Sequence, residues 1–82
     1  MPPNEHQVTL VTRVGCHLCE VAEQQLRALA AELGFAYREV DVDGSAALRA
    51  NFADRVPVIL LDGRELGSFR VDEARLRKAL RR

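Results

Sequence analysis

Val8-Thr9-Leu10-Val11-Thr12-Arg13-Val14-Gly15-Cys16-His17-Leu18-Cys19 is the stretch on which the reading of this chain turns. Its first five residues are β-branched or apolar, the composition of a strand covered on both faces. Arg13-Val14-Gly15 breaks that pattern. From Cys16 the apolar residues recur at helical spacing, with Leu18, Val21, Ala22, Leu26, Leu29, Ala30 and Leu33 on one stripe and Gln24, Arg27 and Glu32 off it. Gly34 supplies the expected stop. A strand that turns sharply into a helix places Cys16 at the helix start. There the backbone N–H groups lack intrahelical partners and the positive end of the helix dipole favours an anion.

Outward from this stretch, Phe35 to Val42 is predicted as a second strand, with Val40 and Val42 on one side and Glu39 and Asp41 alternating with them. Asp43 or Ser45 caps a short second helix in which Leu48 and Phe52 lie four apart. Val56 to Leu61 makes a third strand opened by Pro57, and the turn signal Asp62-Gly63 joins it to an antiparallel fourth strand, Glu65 to Phe69. Asp72 caps a third helix, with Val71 stapled against Leu76 and Arg77, Lys78, Arg81 and Arg82 complementing the dipole at its end. Tyr37 and the three Phe residues read as core or hairpin packing. Residues 1–7 read as a flexible leader with a solvated His6, and residues 8–82 as the domain.

With 82 residues the chain offers one small core, and 48% hydrophobic against 29% charged residues is an ordinary globular composition. Twelve Lys and Arg against twelve Asp and Glu give a net charge of zero, which argues against nucleic acid or anionic lipid as the main partner. No apolar run approaches the ~20 residues that span a bilayer, and Met1-Pro2-Pro3-Asn4-Glu5 does not open a secretory signal. The expected location is cytoplasmic. In that reducing setting two cysteines three positions apart suggest reactivity or metal binding rather than a structural staple.

At the helix start the thiol of Cys16 should ionise more easily than the usual value of about 8.5. A fall to roughly 7 would raise the ionised fraction at neutral pH from about 3% to about half, yet a Brønsted slope near ~0.45 returns about fivefold of that in nucleophilicity. The larger benefit is as a leaving group when Cys19, one turn further into the helix, attacks a mixed disulfide at Cys16. His17, if protonated, would add to the stabilisation of the thiolate; the alternative is a solvated, replaceable residue. A closed zinc site needs about four ligands, and beyond this pair the strong soft candidates are His6 and His17 alone. Haem attachment needs His directly after the second cysteine, where Glu20 stands. A pair of merely buried small apolar residues is a third alternative.

Strand, turn, Cys-x-x-Cys, helix, then Val56-Pro57 before a strand hairpin and a last helix, resembles the minimal thioredoxin fold of the glutaredoxins over about residues 7–80. It is most similar to the short glutaredoxin-like group carrying Gly-Cys-His-Leu-Cys, here Gly15 to Cys19. The resemblance implies an α/β fold of order βαβ-α-ββα. It implies a four-stranded mixed sheet in order 2-1-3-4, first and third helices on one face and the second on the other. It also implies a cis Pro57 beside the reactive sulfur, with the Val56 backbone facing substrate. Three features depart from the glutaredoxin pattern. His17-Leu18 replaces the usual Pro-Tyr, and Arg55-Val56-Pro57 stands for Thr-Val-Pro. Gly67-Ser68-Phe69-Arg70-Val71 replaces Gly-Gly-x-x-Asp, with Asp72 one place late. Arg13 matches in charge a lysine of the family and, with Arg55, is a candidate glutathione ligand; solvated surface arginines are the alternative.

The function so implied is thiol–disulfide exchange with no bound cofactor: Cys16 and Cys19 catalytic, and Arg13, His17, Arg55, Val56 and Pro57 at the substrate. Glutathione is a candidate co-substrate. The expected partners are a disulfide-containing protein or glutathione and a reductase, with no nucleic acid, no membrane and a monomeric state. Two rivals stand beside it: a metal-handling module using the two thiols or a bridged iron–sulfur cluster, and a redox-inert binding domain.

Overall fold

The computed structural model describes residues 5–81. In chain order these form β1 (Gln7–Thr12), α1 (His17–Leu33), β2 (Ala36–Asp41), a one-turn 3-10 helix (Val42–Gly44), α2 (Ala46–Phe52), β3 (Val58–Leu61), β4 (Arg64–Ser68) and α3 (Glu73–Leu80). The sheet runs β2-β1-β3-β4, as the resemblance implied. β1 pairs parallel with β2 and antiparallel with β3, and β3 pairs antiparallel with β4.

Alternation along β1 builds the two halves of the core. Val8 and Leu10 join Ala22, Leu26 and Leu29 of α1, Ile59 of β3 and Leu76 and Leu80 of α3, so α1 and α3 share one face. Val11 points the other way and packs with Val42 and Val58, against Leu48 and Phe52 of α2. Leu10, Leu26 and Leu76 are among the largest fully buried side chains. Each such leucine gains about 1.5–3 kcal/mol from leaving water.

Local sequence chemistry sets the element ends. Gly34 closes α1 in the left-handed region, φ 79, and its N–H donates to the Ala30 carbonyl at 2.8 Å. Of the two residues expected to cap the second helix, Ser45 accepts the Leu48 N–H at 3.0 Å and caps α2. Asp43 does not; it sits in the 3-10 turn, where Asp41 accepts its N–H at 2.9 Å. Asp72 caps α3 by accepting the Arg75 N–H at 3.1 Å, and Val71 packs on the cluster containing Leu76.

Several expectations need correction. The second strand is shorter than Phe35–Val42, because Phe35 is drawn into the core below α1 and Val42 turns into the 3-10 helix with its side chain fully buried. The third strand begins at Val58 rather than Val56, and the fourth runs Arg64–Ser68 with a bulge opposite Ile59 and Leu60. Leu18 and Val21 leave the predicted buried stripe: Cys19, Ala22, Leu26 and Leu29 are the residues of α1 that face the sheet. His6 is not a solvated leader residue but half-buried, since β1 already starts at Gln7. Its carbonyl accepts the Ala36 N–H at 3.2 Å and its ring meets Asp62, whose carboxylate also takes the Gln7 N–H at 2.8 Å. Arg77 does more than complement the dipole, bridging Glu73 of its own helix and Glu32 of α1, each at 2.8 Å. The rest of the predicted leader, residues 1–4, and Arg82 lie outside the described residues.

Candidate active site

The route from β1 into α1 is built around Gly15, whose φ of 78 is a backbone conformation that a side chain resists. The preceding turn is closed by the Cys16 N–H donating to the Arg13 carbonyl at 3.3 Å. Cys16 follows in an extended conformation as the N-cap of α1, and its Sγ accepts the backbone N–H of Cys19 at 3.2 Å. A sulfur thus occupies the place that a hydroxyl or carboxylate oxygen usually takes at a helix start. Cys16 is half-buried whereas Cys19 is only 1% exposed, and the two form a disulfide with their Cα atoms 5.2 Å apart. The periodicity of the buried face explains the asymmetry, since Cys19 heads the run Cys19-Ala22-Leu26-Leu29 that packs onto the sheet.

The sheet register brings Pro57 to this end of the molecule. Val11 is opposite Val58 in the antiparallel β1–β3 pair, so the residue preceding β3 lies level with the exit of β1 toward the Cys16 loop. The Val56-Pro57 bond is cis, as expected, and Pro57 is fully buried. Its carbonyl accepts the Phe69 N–H at 2.7 Å, which ties the end of β4 to the same place. Val56 is half-buried against the α2 cluster, and its backbone makes no hydrogen bond among the described residues.

The three polar candidates are placed differently from one another. His17 has an 85% exposed side chain whose polar contact is Glu20, with Nδ1 and Oε2 3.9 Å apart. Arg13 is turned to Asp43, with Nε at 3.3 Å and Nη2 at 3.5 Å from the carboxylate. Arg55 is held by the Glu65 carboxylate, donates to the Asn51 carbonyl at 2.6 Å and lies 5.8 Å over the Phe52 ring. The hydrogen bond to Glu65 raises the Arg55 guanidinium further above its ordinary value. Both arginines are therefore neutralised in place by carboxylates.

Phe69 was expected among the packing aromatics and is instead 51% exposed, with a left-handed φ of 70. A side chain in that region costs about 1–2 kcal/mol. Its backbone is held there by the bond to Pro57 just as the strand ends at Ser68. Leu18 and Val14, at 51% and 88% exposure, also stand at this end and were not read as site residues. The signal that could have found Leu18 is the stripe itself, because a helix face headed by Cys19 leaves the preceding residue outside it. No sequence signal singles out Phe69. Among the described residues no group of three or more His, Cys, Asp or Glu side chains converges as a metal site, and no helix is long and apolar enough to cross a membrane.

A helix-capping Cys-x-x-Cys pair level with a cis proline, on a mixed sheet of order 2-1-3-4, defines a protein of the glutaredoxin and thioredoxin class. Within that class the chain belongs to the glutaredoxin-like domain family (DUF836), which it matches over residues 7–81. It is 49% identical over 81 residues to the uncharacterized protein Rv0508 of Mycobacterium tuberculosis, covering 93% of this chain and 84% of that protein. The solution structure of protein Ne2328 from Nitrosomonas europaea superposes with a TM-score of 0.82 at 29% identity, covering 93% and 92% of the two chains. Glutaredoxin 1 from Francisella tularensis, solved as a complex with cacodylate, superposes with a TM-score of 0.57 at 26% identity, covering 94% and 99%.

Proposed function

We propose that this protein is a thiol–disulfide oxidoreductase in which Cys16 is the attacking sulfur and Cys19 the resolving one. The observation that supports this reading is the asymmetry of the pair, a half-buried cysteine at a helix N-cap bonded to one that is only 1% exposed. In the reduced protein the Cys16 thiolate attacks one sulfur of the substrate disulfide, forming a mixed disulfide and expelling a substrate thiolate. The Cys19 thiol then loses its proton and attacks Cys16 Sγ, closing the Cys16–Cys19 disulfide and expelling the second substrate thiolate. Two electrons pass to the substrate, whose two thiolates are protonated. The Cys19 N–H at Cys16 Sγ and the open end of α1 favour the thiolate at the moment it attacks or leaves. The unbonded backbone of Val56 gives an extended substrate segment a place to pair, and the buried Pro57 holds it level with the sulfur.

The dithiol would be regenerated by glutathione or by a reductase protein, a cycle suited to a reducing compartment such as the cytoplasm. Trapping tests the assignment. Cys19→Ser should accumulate a mixed disulfide at Cys16 when mixed with insulin, identified by peptide mass spectrometry, and Cys16→Ser should accumulate none. Adducts at Cys19, or none in either variant, would refute it.

A further inference from the structure

Glu65 stands on the α2 side of the sheet because β4 is bulged. Gly67 is opposite Ile59, so an uninterrupted ladder would set Leu66 against Leu60 and Glu65 against Leu61. The shift in register sets Glu65 against Leu60 instead. Residues directly opposite one another share a face, and Leu60 packs with the α2 cluster whereas Leu61 packs with the cluster under α1 and α3. One extra residue in β4 therefore moves the Glu65 carboxylate to the face where Arg55 lies, and the Arg55 guanidinium takes it.

The same guanidinium is secured at two further points. It donates to the Asn51 carbonyl at 2.6 Å, in the last turn of α2 where carbonyls lack intrahelical partners, and it lies 5.8 Å over the Phe52 ring. The Arg55 N–H donates to the Phe52 carbonyl at 2.9 Å. Among the described residues, every hydrogen bond that ties Asp54, Arg55 and Val56 to the rest of the fold is thus made by Arg55.

We infer that Arg55 is a positioning residue: by joining the end of α2 to β4 it holds the segment between them and fixes where the Val56 backbone stands. The inference deepens the oxidoreductase reading and rests on it, since Val56 is where that reading pairs a substrate segment. Arg55 acts through Val56 and does not itself meet the substrate. A planar fork can bridge a carboxylate and a carbonyl at once, which suits arginine to this place. A segment held in this way spares a binding substrate the cost of ordering it. The chemistry is the exchange already written, with the same balance of electrons and protons.

The test compares second-order rates of the reduced protein with two disulfides. One is the disulfide-linked dimer of a short peptide of alanine and serine around one half-cystine; the other is bis(2-hydroxyethyl) disulfide, which has no peptide group to pair with Val56. In Arg55→Ala the ratio of the peptide rate to the small-disulfide rate should fall about fivefold, and because it is a ratio a loss of folded protein cancels. Glu65→Ala should lower the same ratio. The double variant should lower it no further than Arg55→Ala does, because both substitutions break one link. A ratio unchanged in either single variant, or losses that multiply in the double variant, would overturn the positioning role alone. No exchange by the parent with either disulfide would overturn the oxidoreductase reading and this inference with it.

Discussion

The backbone N–H of Cys19 lies 3.2 Å from Sγ of Cys16, so the residue proposed to resolve a mixed disulfide also polarises the sulfur it would attack. A main-chain donor placed in this way is independent of the side chain at either inner position. In the reduced protein Cys16 should therefore be alkylated by iodoacetamide faster than Cys19 and titrate below the ordinary thiol value of about 8.5. Alkylation rates against pH on Cys16→Ser and Cys19→Ser would report it, and equal rates would contradict it.

Leu26 and Leu18 belong to the same helix and differ only in which side they occupy. Leu26 is fully buried between the sheet and α3, so Leu26→Ala should cost about 2–5 kcal/mol in urea unfolding. Leu18 is half in water, and Leu18→Ala should cost less than about 1 kcal/mol.

Asp62 holds the start of β1 to the β3–β4 turn. The hydrogen bond from the Gln7 N–H, and next that from His6, depress its pKa below the ordinary 3.8. A depressed carboxylate binds its proton less readily folded than unfolded. Its contribution is therefore complete above about pH 4 and is lost as pH falls through the folded value. The side chain is largely exposed, so solvent screening keeps the effect small. Asp62→Asn retains a residue that tolerates the local φ of 52 and removes the charge. Its melting temperature should lie below the parent's at pH 6, and the difference should shrink as pH falls through the depressed folded value of Asp62.

Arg13 is turned to Asp43 and so is unavailable to a substrate carboxylate. Arg13→Ala should leave the Michaelis constant for a glutathione mixed disulfide within about twofold of the parent, as expected for a solvent-exposed pair. A severalfold rise would show that Arg13 leaves Asp43 to bind substrate.

What the sequence determined by itself is local. Gly34 as a stop, Asp62-Gly63 as a turn, Asp72 as a cap and Cys16 at a helix start depend on partners within about four residues, where turn and capping chemistry acts, and Val8 to Thr12 declares itself a strand by its own β-branched and apolar side chains. The sheet order and cis Pro57 came through the resemblance, because no local rule dictates which strand lies beside which. Tertiary structure alone decided which apolar residues of α1 are buried, since a stripe of seven candidates is wider than the strip the sheet can cover, and Cys19 took the place that Leu18 and Val21 gave up. It decided the arginines as well: Arg13 finds Asp43 30 positions away and Arg55 finds Glu65 10 positions away, pairings that exist only once β1, β3 and their loops have been folded together. His6 and Phe69 follow the same logic. The first is secured by Asp62 and Ala36 across the sheet and the second by Pro57, and contacts so distant along the chain leave no periodic or compositional trace in it.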